Sequence, residues 1–427
     1  RNIYLTIDTR LQAAAREALM AELDYWNNRL GKIISLQGVV IAMNPKTGEI
    51  LAMVSYPSYE NNRLARFIPA YYYNQLYEDP YKPLLNHAIS GEYPPGSVFK
   101  LPTAVGVLNE RVVTPDYIVE DPGEITVTER FYENDPGRPR RYVCHKEDGH
   151  GQVNFLKGIQ ESCNVYFMKV GGGYETEVSG DGLGIWLMGD YAKALGYGEI
   201  TGIELPGEAA GLIPDPTWKR LNIGENWSTG DTYISVQGQG FVLATPLQML
   251  VSVATISNDG VMMKPTLIKE IRDADGQVVF ENAPEQVRDL TKDEVINIYD
   301  ENNIPTGEKK AIEPWTIELT QQGMRLVVTQ GTASVQFEGF PVPAAGKTGT
   351  AEYCDDIARQ NNLCDFGKWP AHAWFAGYAP FDDPEIVVVA FVYNGKEGST
   401  FAAPIVRRTM EAYFCLKNID AGEACDF

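Results

Sequence analysis

Residues 93–100 read YPPGSVFK and place a serine, Ser97, one helical turn before a lysine, Lys100. Side chains three residues apart share one face of a helix, so this hydroxyl and this amine can meet. A serine hydroxyl becomes a strong nucleophile when a neighbouring base takes its proton, and a neutral lysine amine can be that base. The two prolines and Gly96 predict an extended approach and a sharp turn that leave Ser97 at a helix N-terminus. The stretch therefore predicts an acyl-transfer nucleophile.

Two later motifs complete the pattern. Residues 162–164 read Ser-Cys-Asn, and residues 347–350 read Lys-Thr-Gly-Thr. A Ser-x-x-Lys pair is expected by chance about once in a chain of this length, and here it occurs once. The first motif therefore carries weight only in combination with the other two. Burial and a second cation both lower the pKa of a lysine. Lys347 can supply that cation, so Lys100 as base and Lys347 as electrostatic neighbour form a consistent pair.

Together the three motifs resemble the signature of penicillin-binding proteins and serine β-lactamases. Their order and wide separation most resemble class B penicillin-binding proteins. So do the segments YPPGS, from residue 93, and ATPLQ, from residue 244. Within that class the elongation type, penicillin-binding protein 2, is the nearer match, and the division-type transpeptidase is the alternative. The resemblance runs from about residue 4 to about residue 414.

The resemblance implies an α/β (α+β) fold, that of penicillin-binding-protein and serine β-lactamase-like transpeptidases. In it, an antiparallel sheet flanked by helices and a mostly helical lobe enclose the active-site cleft. We expect residues 1–427 to form the transpeptidase domain, with the α/β part at about 1–96 and 315–427 and the helical lobe at about 97–314. The family's N-terminal membrane anchor and pedestal domain are expected to be missing from this chain, which opens at Arg1.

The resemblance also implies a reaction. Ser97 attacks the carbonyl of a D-Ala-D-Ala terminus on a peptidoglycan stem peptide, with Lys100 as general base, and the amine of a second stem resolves the acyl-enzyme as a crosslink. Backbone N–H groups of Ser97 and Thr350 are expected to form the oxyanion hole. The resemblance assigns substrate binding to Thr348, Gly349 and Thr350, and both threonine hydroxyls are expected to contact the substrate carboxylate. β-Lactam antibiotics should acylate Ser97 because they mimic the dipeptide.

The middle motif corresponds to the family's Ser-x-Asn element. There the Ser162 hydroxyl relays a proton between Lys100 and the leaving amine, while the Asn164 amide holds Lys100 and a substrate carbonyl. Lys347 completes the catalytic set. Taken alone, Ser-x-Asn is more typical of a helix cap or an Asx turn, so its assignment depends on its neighbours.

Three other functions stay open. A serine β-lactamase would need a base that activates water for deacylation, and no convincing Glu-containing loop of that kind is present. A D,D-carboxypeptidase would use the same serine with water as acceptor. A non-catalytic penicillin-sensing or scaffold domain would keep the fold without the reaction. The intact set of motifs favours chemistry over this last alternative.

A second Lys-Thr-Gly, at residues 46–48, provides an internal comparison. It lies in NPKTGE, between the apolar stretches 38–43 and 49–55, a context typical of a hairpin turn. Small residues surround the other copy at Lys347, which suits a strand edge along which a peptide substrate lies. We therefore interpret the first copy as structural and the second as functional.

Composition sets limits on partners and location. The 427 residues carry 36 Lys and Arg against 57 Asp and Glu, a formal charge of −21, which argues against nucleic acid and anionic membrane as partners. No stretch approaches the ~20 apolar residues of a membrane span. We expect an extracytoplasmic domain, in the periplasm or on the outer face of the membrane, anchored in the full-length protein. The resemblance implies partners in a membrane-embedded glycosyltransferase and elongation-complex proteins, contacted through the missing N-terminal region.

Hydrophobic periodicity predicts the main elements. An amphipathic helix should carry Leu11, Ala15, Leu19 and Leu23, and the N- and C-terminal segments should share one sheet. An acidic connector at 300–303 should lie on the surface, within a polar hairpin region. The further predicted elements are helices at 155–171, 245–258 and 404–414 and strands at 374–379 and 385–393.

The six cysteines divide into two groups. In an oxidising compartment the short separations of Cys354 from Cys364 and of Cys415 from Cys425 make these pairs the local disulfide candidates. Cys144 and Cys163 remain.

With His150 close by, Cys144 and Cys163 have the donor types of a tetrahedral Zn²⁺ site with a carboxylate as the fourth ligand. Some elongation-type members similarly bind a structural zinc behind the Ser-x-Asn loop through Asp, Asp, His and Cys. By spacing His150 and Cys163 match that set, and Cys144 would replace one Asp. The resemblance also assigns Asp121, although the intervening loop differs in length from the family's. A 144–163 disulfide and free thiols are the alternatives. The substitute ligands are His145, Glu147 and Asp148.

Overall fold

The computed structural model describes residues 1–65, 67–129, 134, 136–365 and 369–425. The strands are β1 (Asn2–Leu5), β2 (Gly38–Met43), β3 (Ile50–Tyr56), β4 (Val119–Asp121), β5 (Glu124–Glu129), β6 (Arg138–Val143), β7 (Gly151–Val153), β8 (Val261–Met263), β9 (Ile268–Arg272), β10 (Val278–Glu281), β11 (Gln286–Asp289), β12 (Ile296–Tyr299), β13 (Pro305–Lys310), β14 (Ala345–Glu352), β15 (Ala371–Ala379) and β16 (Ile386–Val392). The helices are α1 (Thr9–Arg29), α2 (Asn61–Leu64), α3 (Ala70–Glu78), α4 (His87–Ser90), α5 (Lys100–Asn109), α6 (Phe155–Gln160), α7 (Asn164–Gly172), α8 (Ile185–Ala194), α9 (Pro216–Asn222), α10 (Thr229–Ser235), α11 (Pro246–Ser257), α12 (Pro314–Thr329), α13 (Ser334–Phe337), α14 (Asp356–Gln360), α15 (Gly398–Phe401) and α16 (Ala403–Asp420).

A five-stranded antiparallel sheet in the order β14-β15-β16-β2-β3 forms the centre of the fold. Strands β2 and β16 are apolar and buried along their whole length, so they must be covered on both faces. Helices α1 and α16 pack on each other and on the sheet, while α11 packs on β2, β15 and β16. The predicted α/β class is confirmed, and so is the prediction that the two ends of the chain share one sheet.

The region between the serine motif and α12 mixes helices with small strand pairs. Strands β4 and β7, β5 and β6, β8 and β11, and β12 and β13 each form a two-stranded antiparallel ladder, and β9 pairs with both β1 and β10. The acidic connector at 300–303 is the exposed turn between β12 and β13, as predicted. The division into lobes at residues 97 and 314 stays a prediction.

Two predicted helices differ from the structure. The helix expected over 155–171 is interrupted, because Ser162 takes a left-handed backbone conformation (φ 54°) and α7 begins only at Asn164. Cys163 caps α7, since its Sγ accepts the N–H of Tyr166 at 3.3 Å. Ser97 lies in a 3₁₀ turn over Gly96–Phe99, and the α-helix starts at Lys100. The break at Ser162 falls in the polar stretch 160–164, QESCN, where the cap interpretation of Ser-x-Asn is the one that the structure shows.

Candidate active site

Ser97 is held close to the edge strand β14. The Gly96 N–H donates to the Gly238 carbonyl at 2.9 Å, and a Cβ on Gly96 would lie 2.6 Å from the Thr350 carbonyl oxygen. Gly96 also has φ +58°, so a side chain here would be both strained and obstructed. Gly238 forms the floor beneath, because its own Cβ would meet the Gly96 oxygen at 2.3 Å. The two glycines therefore allow the serine turn to approach the strand.

The strand that covers Ser97 is fixed by an aromatic side chain. Trp374 on β15 is fully buried and donates its indole N–H to the Pro94 carbonyl at 3.0 Å. Trp374 also faces Gly349, whose added Cβ would lie 3.0 Å from the Trp374 Cβ and 3.1 Å from the Pro95 oxygen. The proline approach to Ser97 is thus anchored to the sheet. Ser97 itself is half-buried.

Lys100 is completely buried beside the Ser-x-Asn element. Its Nζ donates to the Ser162 carbonyl at 2.7 Å and to Asn164 Oδ1 at 2.6 Å, and it lies 3.5 Å from Ser162 Oγ. Burial lowers the pKa of Lys100 to about 8. Two hydrogens satisfy the two short contacts, so a neutral amine keeps a lone pair with which to accept a proton.

Lys347 reaches the same loop from the opposite side. Its Nζ donates to Ser162 Oγ at 2.7 Å and to the Thr348 carbonyl at 3.2 Å, and its side chain is fully buried. Burial first, and then the charge of Lys100, hold the pKa of Lys347 well below its usual range. Two buried amines around one hydroxyl disfavour two simultaneous charges. The two lysines therefore bracket Ser162, although 247 residues separate them in sequence.

Thr332 is a site residue that the sequence did not indicate. Its hydroxyl lies 2.8 Å from the Thr348 hydroxyl, and a hydrogen bond there fixes the rotamer of a residue expected to bind substrate. Thr332 follows α12 in the segment TQGTAS, which contains no motif. Only the fold reveals it, because the pairing of α12 with β14 brings it there.

A cavity of about 920 Å³ opens along this side of the sheet. Its lining joins Asn164 on α7, Arg140 and Arg141 on β6, and Glu352 at the end of β14. Polar groups of both charges therefore face the space next to Ser97 and the Ser-x-Asn loop. A cleft of this size is within the range of ligand-binding pockets in proteins.

The four predicted metal ligands converge behind the Ser-x-Asn loop. The donor atoms of Asp121, Cys144, His150 and Cys163 lie within 4.8 Å of one another, and all four residues are buried. Asp121 Oδ2 is 2.7 Å from His150 Nδ1 and 3.1 Å from Cys163 Sγ, while Cys144 Sγ is 3.4 Å from His150 Nδ1. The β4–β7 ladder brings Asp121 next to His150, since Asp121 pairs with Gly151.

The disulfides join cysteines that are close in sequence. Disulfides join Cys354 to Cys364 and Cys415 to Cys425, as predicted. Cys144 and Cys163 are free thiols with Sγ atoms 3.9 Å apart, so the structure does not contain the alternative disulfide between them. The substitute ligands proposed from the sequence, at positions 145, 147 and 148, are outside the four-residue group.

The two histidines without catalytic partners are packed in the interior. The His87 ring lies 2.7 Å from the Tyr93 hydroxyl and 2.8 Å from Gln37 Nε2. His372 stacks on Tyr353 with ring centroids 3.7 Å apart, and burial lowers its pKa to about 3. Both rings therefore have a structural role in the interior.

Comparison with known proteins decides the family. The family described as the penicillin binding protein transpeptidase domain matches residues 38–411. The chain belongs to the penicillin-binding protein transpeptidase family. Within that family it is of the class B, penicillin-binding protein 2 type, as its relatives indicate. It is 32% identical over 417 residues to the peptidoglycan D,D-transpeptidase MrdA of Haemophilus influenzae, covering 97% of this chain and 56% of that protein. With MrdA of Escherichia coli K12 the identity is 30%, over 93% of this chain and 55% of the relative.

Solved structures show the same penicillin-binding protein fold. PBP2 of Pseudomonas aeruginosa in complex with WCK 5153 superposes with a TM-score of 0.74 at 30% identity, covering 96% of this chain and 75% of that one. PBP2 of Helicobacter pylori in its complex with MreC gives a TM-score of 0.73 at 26% identity, over 96% and 64% of the two chains. The chain spans about half the length of the curated relatives it matches. Among the described residues, no helix combines the length and apolar character needed to cross a membrane.

Proposed function

We propose that this chain is the catalytic domain of a peptidoglycan D,D-transpeptidase, acting outside the cytoplasm. The observation that carries the proposal is the convergence of Lys100 and Lys347 on Ser162, next to the turn that presents Ser97. Both lysines are buried and their pKa values are lowered, as an amine that exchanges protons near neutral pH requires. A scaffold domain has no need to bury two amines around one hydroxyl.

Acylation begins when Ser97 Oγ attacks the carbonyl of the penultimate D-alanine, and the hydroxyl proton passes to the neutral amine of Lys100. The backbone N–H groups of Ser97 and Thr350 receive the negative oxygen, a contribution often worth ~3 kcal/mol per donor. The C–N bond then breaks. The leaving D-alanine amine takes its proton through the Ser162 hydroxyl, which Lys347 orients by its 2.7 Å hydrogen bond. The substrate carboxylate lies on the hydroxyls of Thr348 and Thr350.

Deacylation reverses these proton movements. The amine of a second stem enters where D-alanine left, transfers a proton through Ser162 to Lys100, and attacks the ester carbon. The bond to Ser97 breaks and the hydroxyl recovers its proton, which leaves a new amide between two stems. Asn164 keeps Lys100 in place through the 2.6 Å contact and has its amide nitrogen available for a substrate carbonyl. No cofactor takes part in these steps.

Intact mass spectrometry after incubation with a β-lactam tests the assignment. A stable single adduct is expected on the wild-type chain and none on Ser97→Ala, because the ring-opened drug stays esterified to the serine. A transient adduct with drug hydrolysis would instead indicate a β-lactamase. If the folded wild-type protein gains no adduct, the transpeptidase proposal is wrong and the scaffold alternative takes its place.

Partners are proposed from the relatives. One similar structure is the complex of Helicobacter pylori PBP2 with MreC. Another is that of a peptidoglycan synthase complex that coordinates polymerisation and crosslinking. It is 33% identical with a TM-score of 0.73, and the match covers 96% of this chain and 62% of that one. We infer that the full-length protein joins a membrane-embedded glycosyltransferase and other elongation proteins through regions that precede this domain. Co-purification with full-length protein but not with residues 1–427 is expected. Equal capture by the domain alone would contradict the inference.

We also propose that Asp121, Cys144, His150 and Cys163 hold a structural Zn²⁺. Two thiols, an imidazole and a carboxylate are a donor set that zinc prefers, and the Asp121 carboxylate is buried with its Oδ2 2.7 Å from His150 Nδ1. Bound zinc would tie β4, the segment before β7 and the start of α7 together behind the Ser-x-Asn loop, away from the reacting atoms. The metal would thus stabilise the fold without entering the reaction.

Metal analysis of purified protein tests this site. One zinc per chain is expected in the wild type and a large loss in His150→Ala, with a lower melting temperature because a ligand that binds only the folded state stabilises it. His145→Ala is the matched control, since its ring is near His150 but outside the ligand group. Wild-type protein that contains no zinc and gains no thermal stability when zinc is added would contradict the proposal.

A further inference from the structure

Thr332 contacts two of the three motif-bearing elements of the candidate active site. It follows α12, and its backbone N–H donates to the Gln160 carbonyl at 3.3 Å, at the end of α6 and two residues before Ser162. Its hydroxyl lies 2.8 Å from the Thr348 hydroxyl on β14. One residue outside every motif therefore connects the strand of the Lys-Thr-Gly motif with the segment that leads into the Ser-x-Asn loop.

The backbone around Thr332 is fixed independently of its hydroxyl. A Cβ on Gly331 would lie 2.3 Å from the Gln160 carbonyl oxygen, so the chain passes directly along the end of α6. Ala333 is fully buried, and its N–H donates to the Val327 carbonyl at 3.0 Å. The segment is thus held by backbone contacts and by a small buried side chain, and the hydroxyl at 332 is left for another role.

The direction of the hydrogen bond between the two threonines follows from the charge of the ligand. A hydroxyl donates one hydrogen bond and accepts two, whereas an ionised carboxylate only accepts. When Thr348 donates its proton to a carboxylate, it has none left for Thr332, so Thr332 has to be the donor between them. Each hydroxyl in such a chain polarises the next. Thr348 is only 7% exposed, which leaves water little access to replace Thr332 as its donor.

The hydroxyl of Thr350 is held in the same way. Its Oγ1 accepts the backbone N–H of Gly398 at 3.3 Å, which leaves its own proton available to a ligand. Residues 348 and 350 are two apart on β14 and therefore share one face of the strand. Both hydroxyls expected to bind the carboxylate thus have a neighbour that can donate to them, a main-chain N–H at one and the side chain of Thr332 at the other.

We propose that Thr332 is a positioning residue for the recognition of the substrate's terminal carboxylate, and that it acts by orienting the Thr348 hydroxyl as a donor. The inference rests on the proposed function, since the carboxylate is that of a D-Ala-D-Ala terminus or of a β-lactam bound at Ser97. Thr332 favours ligands that are anionic at this point and takes no part in the attack by Ser97. Loss of its hydroxyl should therefore weaken the complex that precedes acylation and leave the acylation step itself unchanged.

Benzylpenicillin and its methyl ester test this role, because the ester lacks the charge of the carboxylate. Intact mass against time and drug concentration gives the dissociation constant of the non-covalent complex and the rate constant of acylation. Thr332→Val should lower the second-order acylation rate with the acid about tenfold, which corresponds to 1.4 kcal/mol, through the dissociation constant. With the ester it should stay within twofold of the wild type.

Two further variants separate the hydroxyl from the fold. Thr332→Ser keeps the donor and should acylate with the acid at nearly the wild-type rate. Thr329→Val is the matched control, because the Thr329 hydroxyl, at the end of α12, donates to the Arg325 carbonyl of its own helix. It should change neither rate. Thermal unfolding, followed in parallel, establishes that each variant is folded.

Equal losses with acid and ester in Thr332→Val would overturn the proposal, because a displaced strand would slow both reactions. Unchanged rates with both drugs would overturn it as well. In a Thr348→Val background, Thr332→Val should cause no further loss with the acid, since it acts through that hydroxyl alone; a further tenfold loss would contradict this. Wild-type protein that the acid does not acylate would overturn the proposed function itself, a result that no difference between the variants can produce.

Discussion

The chain contains the tripeptide Lys-Thr-Gly twice, and the two copies adopt different structures. At residues 46–48 it forms the turn between β2 and β3, where Lys46 pairs with Asp383 and its side chain is 44% exposed. At residues 347–349 it lies within β14, where Lys347 is fully buried and donates to Ser162. The same three side chains thus serve as a surface turn and as the floor of a candidate active site.

The glycine explains part of this difference. Gly48 has φ +78° and closes the turn through its N–H to the Asn44 carbonyl. Gly349 is in an extended strand, and its lack of a side chain leaves room for the Pro95 carbonyl and Val98 of the serine turn. One glycine supplies a backbone conformation and the other supplies space. A short motif therefore acquires a function only through the element that carries it and the surfaces that meet it.

The first prediction separates the two lysines by their effect on catalysis. Lys347→Ala should lower the second-order rate of β-lactam acylation by about 100-fold or more, as expected when a preorganised donor is removed from a reaction centre. Lys46→Ala should change that rate less than twofold, because its contacts are on the surface. Stopped-flow acylation with a fluorescent penicillin measures both. Similar losses in the two variants would remove the functional distinction between the copies.

The second prediction concerns pH. Lys100 has to be neutral to accept the Ser97 proton, and burial lowers its pKa to about 8, so the neutral fraction rises as pH rises through that value. The acylation rate should therefore increase about tenfold per pH unit below the pKa and level off above it. Lys46→Ala should keep the same profile. A rate that is constant from pH 6 to 9, or that falls, would contradict the assignment of Lys100 as base.

The sequence predicted the serine turn and both lysines because the spacing of these residues is tied to chemistry. Of the proposed metal ligands, His150 and Cys163 were predicted by spacing, Cys144 as a replacement for one Asp, and Asp121 only through the family resemblance. The sequence also predicted which Lys-Thr-Gly is a turn, since Asn44 and Pro45 precede that copy.

The helix predicted over 155–171 missed the break before α7, where Ser162 has a φ of 54° within the polar stretch QESCN. Thr332 was missed because long-range packing alone brings it to Thr348. A contact between elements that are distant in sequence leaves no recognisable pattern in the residues around either partner.

The third prediction compares the two glycines. Gly48→Ala should destabilise the fold by roughly 3 kcal/mol, since it combines a left-handed φ with a Cβ only 2.1 Å from the Lys264 carbonyl oxygen. The folded fraction should acylate normally. Gly349→Ala meets neighbours at 3.0 to 3.1 Å, so it should cost only about 1 kcal/mol in stability while displacing the serine turn and slowing acylation. Urea unfolding and acylation rates together measure both effects, and the reverse pattern would contradict this account.

The smallest expected effect is that of the surface ion pair itself. Lys46 and Asp383 are in contact, but their side chains are 44% and 79% exposed, so water and salt screen the attraction and two long side chains lose freedom to hold it. Lys46→Ala and Asp383→Ala should each change the free energy of unfolding by less than ~0.5 kcal/mol, and a double-mutant cycle should give a coupling that disappears in high salt. A coupling above ~1 kcal/mol would mean that the ion pair of Lys46 stabilises the turn. In that case the identity of residue 46 would be explained by the hairpin, rather than by the tolerance of an exposed position.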